Sequence, residues 1–111
     1  MTDHVARDIR IVKACMGQDV EQIGIFGSAV DGLNASNDVD VVLKVQPGDE
    51  DIVAASLRHM RLSLPVLAVD MNGYRVRGHQ CSPQGYHFLV LGLEEAKGQF
   101  DARNRATVCY M

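Results

Sequence analysis

The sequence predicts an α/β fold of the α+β kind, a small mixed β-sheet of about five strands packed with two to three helices. Three observations predict it. Residues 3–16 carry apolar side chains at helical spacing, residues 21–26 and 38–45 read as buried strands, and Asn72-Gly73 signals a hairpin. The chain has 111 residues, 47% of them hydrophobic, which suits one domain (residues 1–111) with one core.

Taken in order, Val5, Ile9, Val12 and Met16 form one stripe on a helix over 3–16, with Thr2 or Asp3 as its cap and Gly17 as its stop. Residues 21–26 form the first strand. Residues 38–45 form the second, and its nearly unbroken apolar run after Asp40 suits a strand covered on both faces. Pro47-Gly48 ends it, and Asp49 can cap a second helix over 50–62. Glu50 and Asp51 in its first turn, and Arg58, His59 and Arg61 in its last, complement the helix dipole. Pro65 to Met71 reads as a third strand, and Asn72-Gly73 as a type I′ turn returning Tyr74 to Gln80 antiparallel. Tyr86 to Leu91 is a fifth strand, and residues 94–106 form a weaker third helix weakened further by Gly98. The hairpin disfavours a simple doubly wound sheet.

Charge and cysteine usage narrow the function classes. A net charge of −3 argues against a general nucleic-acid binder, which needs a basic face. Cys15, Cys81 and Cys109 are odd in number and widely spaced, unlike a disulfide framework, so a reducing, cytoplasmic setting is expected. Met1-Thr2-Asp3-His4 does not open a secretory signal, and no apolar stretch approaches the length of a membrane span.

The chemistry concentrates in two places. Asp38 and Asp40 lie two apart on a strand, so their carboxylates share a face and can share a divalent cation. Magnesium takes such hard oxygen ligands, commonly one or two carboxylates plus substrate phosphates. A solvated strand start after Ser36-Asn37 would look the same. Gly27-Ser28 ends the preceding strand. Glycine lets the backbone approach an anion, and Ala29-Val30-Asp31 can form a single turn whose N–H groups face a phosphate. Ser28 could equally be an ordinary cap at a strand exit. Asp70, late in Val66-Leu67-Ala68-Val69, is a third carboxylate. Beside the Asp38–Asp40 strand it could serve as a metal ligand or general base; across the hairpin it could pair with Arg75.

In order, Phe26-Gly27-Ser28, Asp38-Val39-Asp40 and Leu67-Ala68-Val69-Asp70-Met71 resemble the minimal nucleotidyltransferases of the DNA polymerase β superfamily. The resemblance covers roughly residues 20–72, and the leading helix also fits it. It implies that Asp38 and Asp40 bind two magnesium ions together with a nucleoside triphosphate. It implies that Asp70 binds the metal nearer the acceptor and helps deprotonate its hydroxyl. Gly27 and Ser28 would hold the β and γ phosphates while an acceptor hydroxyl attacks the α-phosphate in line.

Two departures bear on this. Family members often carry an arginine shortly after Gly-Ser, where this chain has Ala29-Val30-Asp31-Gly32. Arg75 and Arg77, alternate residues of one strand face, could supply the positive charge for nucleotide binding. The chain also has little room after residue 72 for the helical domain of larger relatives. Minimal members commonly work beside a separate helical protein, as in toxin–antitoxin pairs, so such a partner or a homodimer is implied. The alternative is a catalytically inactive module on the same fold that docks a partner or senses nucleotide. His79, Cys81 and His87 match no standard zinc spacing.

Overall fold

A computed structural model describes residues 3–30, 38–73, 84–104 and 107–109. The architecture is mixed α+β. Three helices, α1 (Asp3–Met16), α2 (Glu50–Arg58) and α3 (Glu94–Arg103), pack on a mixed sheet. Its strands are β1 (Val20–Phe26), β2 (Asp38–Val45), β3 (Val66–Met71), β4 (Gly85–Leu91) and the two-residue β5 (Val108–Cys109).

The strand order is β3-β4-β2-β1-β5. β1 runs antiparallel to β2 and β5, while β2, β4 and β3 run parallel to one another. The condition under which Asp70 could join Asp38 and Asp40 directly, a β3 lying beside β2, is not met, because β4 lies between them. Nor is the type I′ turn formed. Asn72 takes the left-handed conformation at φ 52°, but Gly73 does not join it, although that turn needs positive φ at both residues. The Asn72 side chain is used differently. It accepts the Gly92 and Leu93 N–H groups at 2.9 and 3.1 Å and donates to Glu50 at 3.0 Å. It thereby ties the ends of β3 and β4 to the start of α2. The expected return strand, Tyr74 to Gln80, lies outside the described residues.

Alternation along the strands sorts the sheet into two faces. Val39, Val41, Leu43 and Val45 of β2, with Tyr86, Phe88 and Val90 of β4, face the main core. There they meet the α1 stripe of Val5, Ile9, Val12 and Met16 and the α2 residues Val53, Ala54 and Leu57. Each fully buried aliphatic or aromatic side chain contributes about 1.5–3 kcal/mol. On the other face Phe26, Val42, Leu89 and Leu91 meet Ala96 and Phe100 of α3, with the Phe26 and Phe100 rings edge to face at 5.0 Å. Buried Lys97 anchors α3 to β1 by reaching Glu21 at 2.6 Å.

Helix ends depart from expectation for visible reasons. Asp49 occupies the cap position of α2 without a side-chain cap bond; Glu50 folds back onto the Gly48 N–H at 2.6 Å instead. α2 stops at Arg58 rather than at 62, because the chain beyond it turns to a buried carboxylate. Asp8 of α1 is 2% exposed and accepts from the Ser63 N–H at 3.1 Å, from the Ser63 hydroxyl, and from the Tyr86 hydroxyl at 2.6 Å. Burial first, and then the Asp8 carboxylate, push the Tyr86 hydroxyl pKa far up, so Tyr86 stays a donor.

Gly85 permits the close approach of β3 and β4. A Cβ there would stand 2.5 Å from Leu67 Cγ and 2.7 Å from the Pro65 carbonyl, which accepts the Tyr86 N–H at 2.8 Å.

The Asp8 network gives a direct test. Tyr86→Phe removes one charge-assisted donor and should destabilise the fold by about 1–3 kcal/mol. Urea unfolding of the two proteins measures it, and a change below about 0.5 kcal/mol would show that the bond contributes little.

Candidate functional site

One row of side chains crosses the face of the sheet that α3 leaves partly open. It follows from register. Asp40 of β2 pairs with Phe26 of β1 on one side and with His87 of β4 on the other. His87 in turn pairs with Ala68 of β3, so Asp70, two residues further on, shares its face. Three short strands therefore bring Asp40, His87 and Asp70 together from separate stretches of sequence.

The imidazole stands between the two carboxylates. His87 Nε2 donates to Asp70 Oδ2 at 2.7 Å, and Nδ1 lies 3.4 Å from Asp40 Oδ1. All three side chains are largely buried, at 14% exposure for His87, 21% for Asp40 and 17% for Asp70. The Asp40 carboxylate first, with Asp70 adding to it against the opposing effect of burial, holds the His87 pKa above its ordinary value. Protonated, the ring offers an N–H to each carboxylate and neutralises charge that would otherwise accumulate there.

The glycine turn meets this row at its β1 end. Gly27 has φ +72°, in the left-handed region, and opens the single 3-10 turn Gly27–Val30. The turn expected over Ala29-Val30-Asp31 begins earlier, at Gly27 itself, and Asp31 lies outside the described residues. A Cβ on Gly27 would stand 2.6 Å from Asp40 Oδ2. The turn and the carboxylate are therefore in direct apposition, with Asp40 presenting Oδ1 to His87 and Oδ2 to Gly27. Asp38, one strand repeat earlier on the same face, has its Oδ1 buried.

Of the residues singled out in the sequence, Gly27 and Asp40 come together, Asp38 lies two residues before Asp40 on the same strand, and Ser28 lies in the glycine turn. Asp70 reaches this group through His87 rather than directly. Two ligands of one magnesium ion, each about 2.1 Å from it, lie at most about 4 Å apart, and an imidazole ring occupies the space between Asp40 and Asp70. Among the described residues no group of three or more His, Cys, Asp or Glu side chains is arranged to hold a metal ion. Asp38 and Asp40, two apart on one strand face, are hard oxygen donors of the kind magnesium takes alongside phosphates and water. Arg75 and Arg77, expected to bind nucleotide, lie outside the described residues, as do Asp31, His79 and Cys81. Cys15 is exposed rather than packed as a small apolar residue.

His87 is the residue that sequence reasoning did not place here. Its signal was present: one imidazole in an otherwise aromatic and aliphatic strand, Tyr86-His87-Phe88-Leu89-Val90. Nothing local to the strand shows that its partner is β2.

Two measurements probe this geometry. Gly27→Ala forces a residue with a Cβ into the left-handed region and toward Asp40, so it should cost about 1–2 kcal/mol or more; an unchanged urea midpoint would contradict the apposition. The second concerns pH. A folded-state pKa raised above the unfolded value of about 6.5 means a contribution fully present below that pH and lost as pH rises through the folded pKa. The melting-temperature advantage of the native chain over His87→Gln, measured in a chelator, should therefore be largest below about pH 6.5 and shrink at higher pH. A pH-independent advantage would contradict the bridge.

No family model, curated protein or solved structure matches this chain.

Proposed function

We propose that the chain is a magnesium-dependent nucleotidyltransferase that transfers a nucleoside monophosphate from a nucleoside triphosphate such as ATP to a hydroxyl acceptor such as a partner protein. The observation that carries this reading is the apposition of Gly27 with Asp40: a turn suited to anions and a carboxylate pair suited to a cation occupy one place. Either feature alone is common. Their contact is what a bound metal–triphosphate requires.

In this reading the N–H groups at Gly27 and Ser28 bind the β and γ phosphates, where a glycine leaves the backbone uncovered. Asp38 and Asp40 hold the cation from one strand face. Magnesium bound there would neutralise phosphate charge and favour in-line displacement at the α-phosphorus. Phe26 and Phe100 wall the same face beyond Asp40, limiting water on that side. The acceptor hydroxyl attacks the α-phosphorus, its proton passes to solvent, the new O–P bond forms as the α–β phosphoanhydride bond breaks, and pyrophosphate leaves. Most of the rate gain is then positioning and electrostatics.

A second reading has one specific observation in its favour. His87 already balances Asp40 and Asp70, so the carboxylates are accommodated as they stand. A non-catalytic module that binds a partner protein or senses nucleotide would be built in this way. In either reading, among the described residues no helix is long and apolar enough to cross a membrane.

Calorimetry of ATP with magnesium separates these readings. The native chain should bind, and Asp38→Ala with Asp40→Ala should weaken binding at least about tenfold. Label should then pass from α-phosphate-labelled ATP to a protein. Binding without transfer to itself or to a co-purified partner favours the sensor, and no metal-dependent binding rejects both nucleotide readings.

A further inference from the structure

The geometry points to His87, braced by Asp70, as a positioning residue that sets the Asp40 carboxylate for a nucleotide-bound cation. The inference rests on the nucleotidyltransferase reading and changes the part that Asp70 plays in it. Asp70 acts at one remove, through the imidazole, rather than as a ligand.

Three observations carry it. First, the sheet separates β3 from β2 by a whole strand, so the two carboxylates start roughly 10 Å apart along the hydrogen-bonding direction. An aspartate is too short to cross that distance, while a histidine on the intervening strand reaches both sides. Second, the two contacts of the ring are unequal. Nε2 to Asp70 is 2.7 Å, a full charge-assisted hydrogen bond, whereas Nδ1 to Asp40 is 3.4 Å, a looser ionic contact. The ring is therefore fixed from the β3 side and presented to Asp40. Third, the two oxygens of Asp40 face different neighbours. Oδ1 faces His87, and Oδ2 lies where a Cβ on Gly27 would come within 2.6 Å. A carboxylate gripped weakly at one oxygen keeps its plane while its other oxygen stays directed at the phosphate-binding turn.

Carboxylates that hold a metal are themselves oriented by outer hydrogen-bond partners, and His87 stands in that relation to Asp40. The Asp70 carboxylate, 17% exposed, is turned over β4 to the ring.

Manganese supplies a probe that does not depend on turnover. Its binding in the presence of ATP can be followed by electron paramagnetic resonance for native protein, His87→Ala, His87→Gln, Asp70→Asn, the double variant His87→Ala with Asp70→Asn, and Asp38→Ala with Asp40→Ala. His87→Ala and Asp70→Asn should each weaken manganese–ATP binding about tenfold, the usual effect of losing an outer-shell partner. The double variant should be no weaker than His87→Ala, because the two residues act in series. His87→Gln, which keeps an N–H donor, should recover part of the loss. Tyr86→Phe, which acts on the opposite face, should lower stability without moving manganese affinity, which separates positioning from folding. If His87→Ala fails to fold, Asp70→Asn at the sheet edge carries the same test. Native-like affinity in both single variants, or additive losses in the double, overturns this inference while the Asp38/Asp40 result upholds the nucleotide site. Absence of manganese–ATP binding by the native chain overturns the nucleotide reading and this inference with it.

Discussion

Parallel pairing of β4 with β2 is the constraint on which the rest of the structure depends. It places His87 beside Asp40, puts Tyr86 and Phe88 into the main core, and pushes β3 to the edge. Such a pairing cannot be made by a tight turn. It joins residues separated by more than forty positions, and the entropy of closing that loop must be offset by burial. The offset is visible in the central strands, where β2 and β4 are buried almost end to end. The polar row on one face is tolerated because the opposite face of the same strands is apolar apart from the Tyr86 hydroxyl, which Asp8 satisfies.

The fold was legible where the pattern was local. The α1 stripe and the β2 run are strong periodic signals, and both elements span 3–16 and 38–45 as read. α2 was read too long because Met60 continues the apolar spacing of Val53 and Leu57, and the competing pull of Asp8 on Ser63 comes from another element. Asn72 does adopt the left-handed conformation that its sequence favours, but its side chain is spent on Gly92, Leu93 and Glu50 rather than on a hairpin. Strand order was not legible at all. Nothing in residues 66–71 distinguishes pairing with 85–91 from pairing with 38–45.

The candidate site divides in the same way. Gly27, Asp38 and Asp40 come from one local stretch, and their proximity follows from a strand, a turn and an antiparallel return. The relation of Asp70 to them required knowledge of which strand lies between. A single histidine in an apolar strand usually reads as a satisfied core residue, and this one is satisfied, by two carboxylates from its two neighbouring strands. What was missing was the identity of those partners.

Tyr86 and His87 are consecutive, and each is claimed by aspartate on its own side of the sheet, the phenol by Asp8 beneath and the imidazole by Asp70 above. Sliding β4 by a single residue would exchange these faces, sending the His87 ring into the apolar core with Ile9, Val12 and Ile23 and carrying the Tyr86 hydroxyl away from Asp8. Misalignment is thus penalised twice over, once on each side. The same two neighbours that anchor the interior also guarantee that the ring above arrives opposite Asp40 and nowhere else.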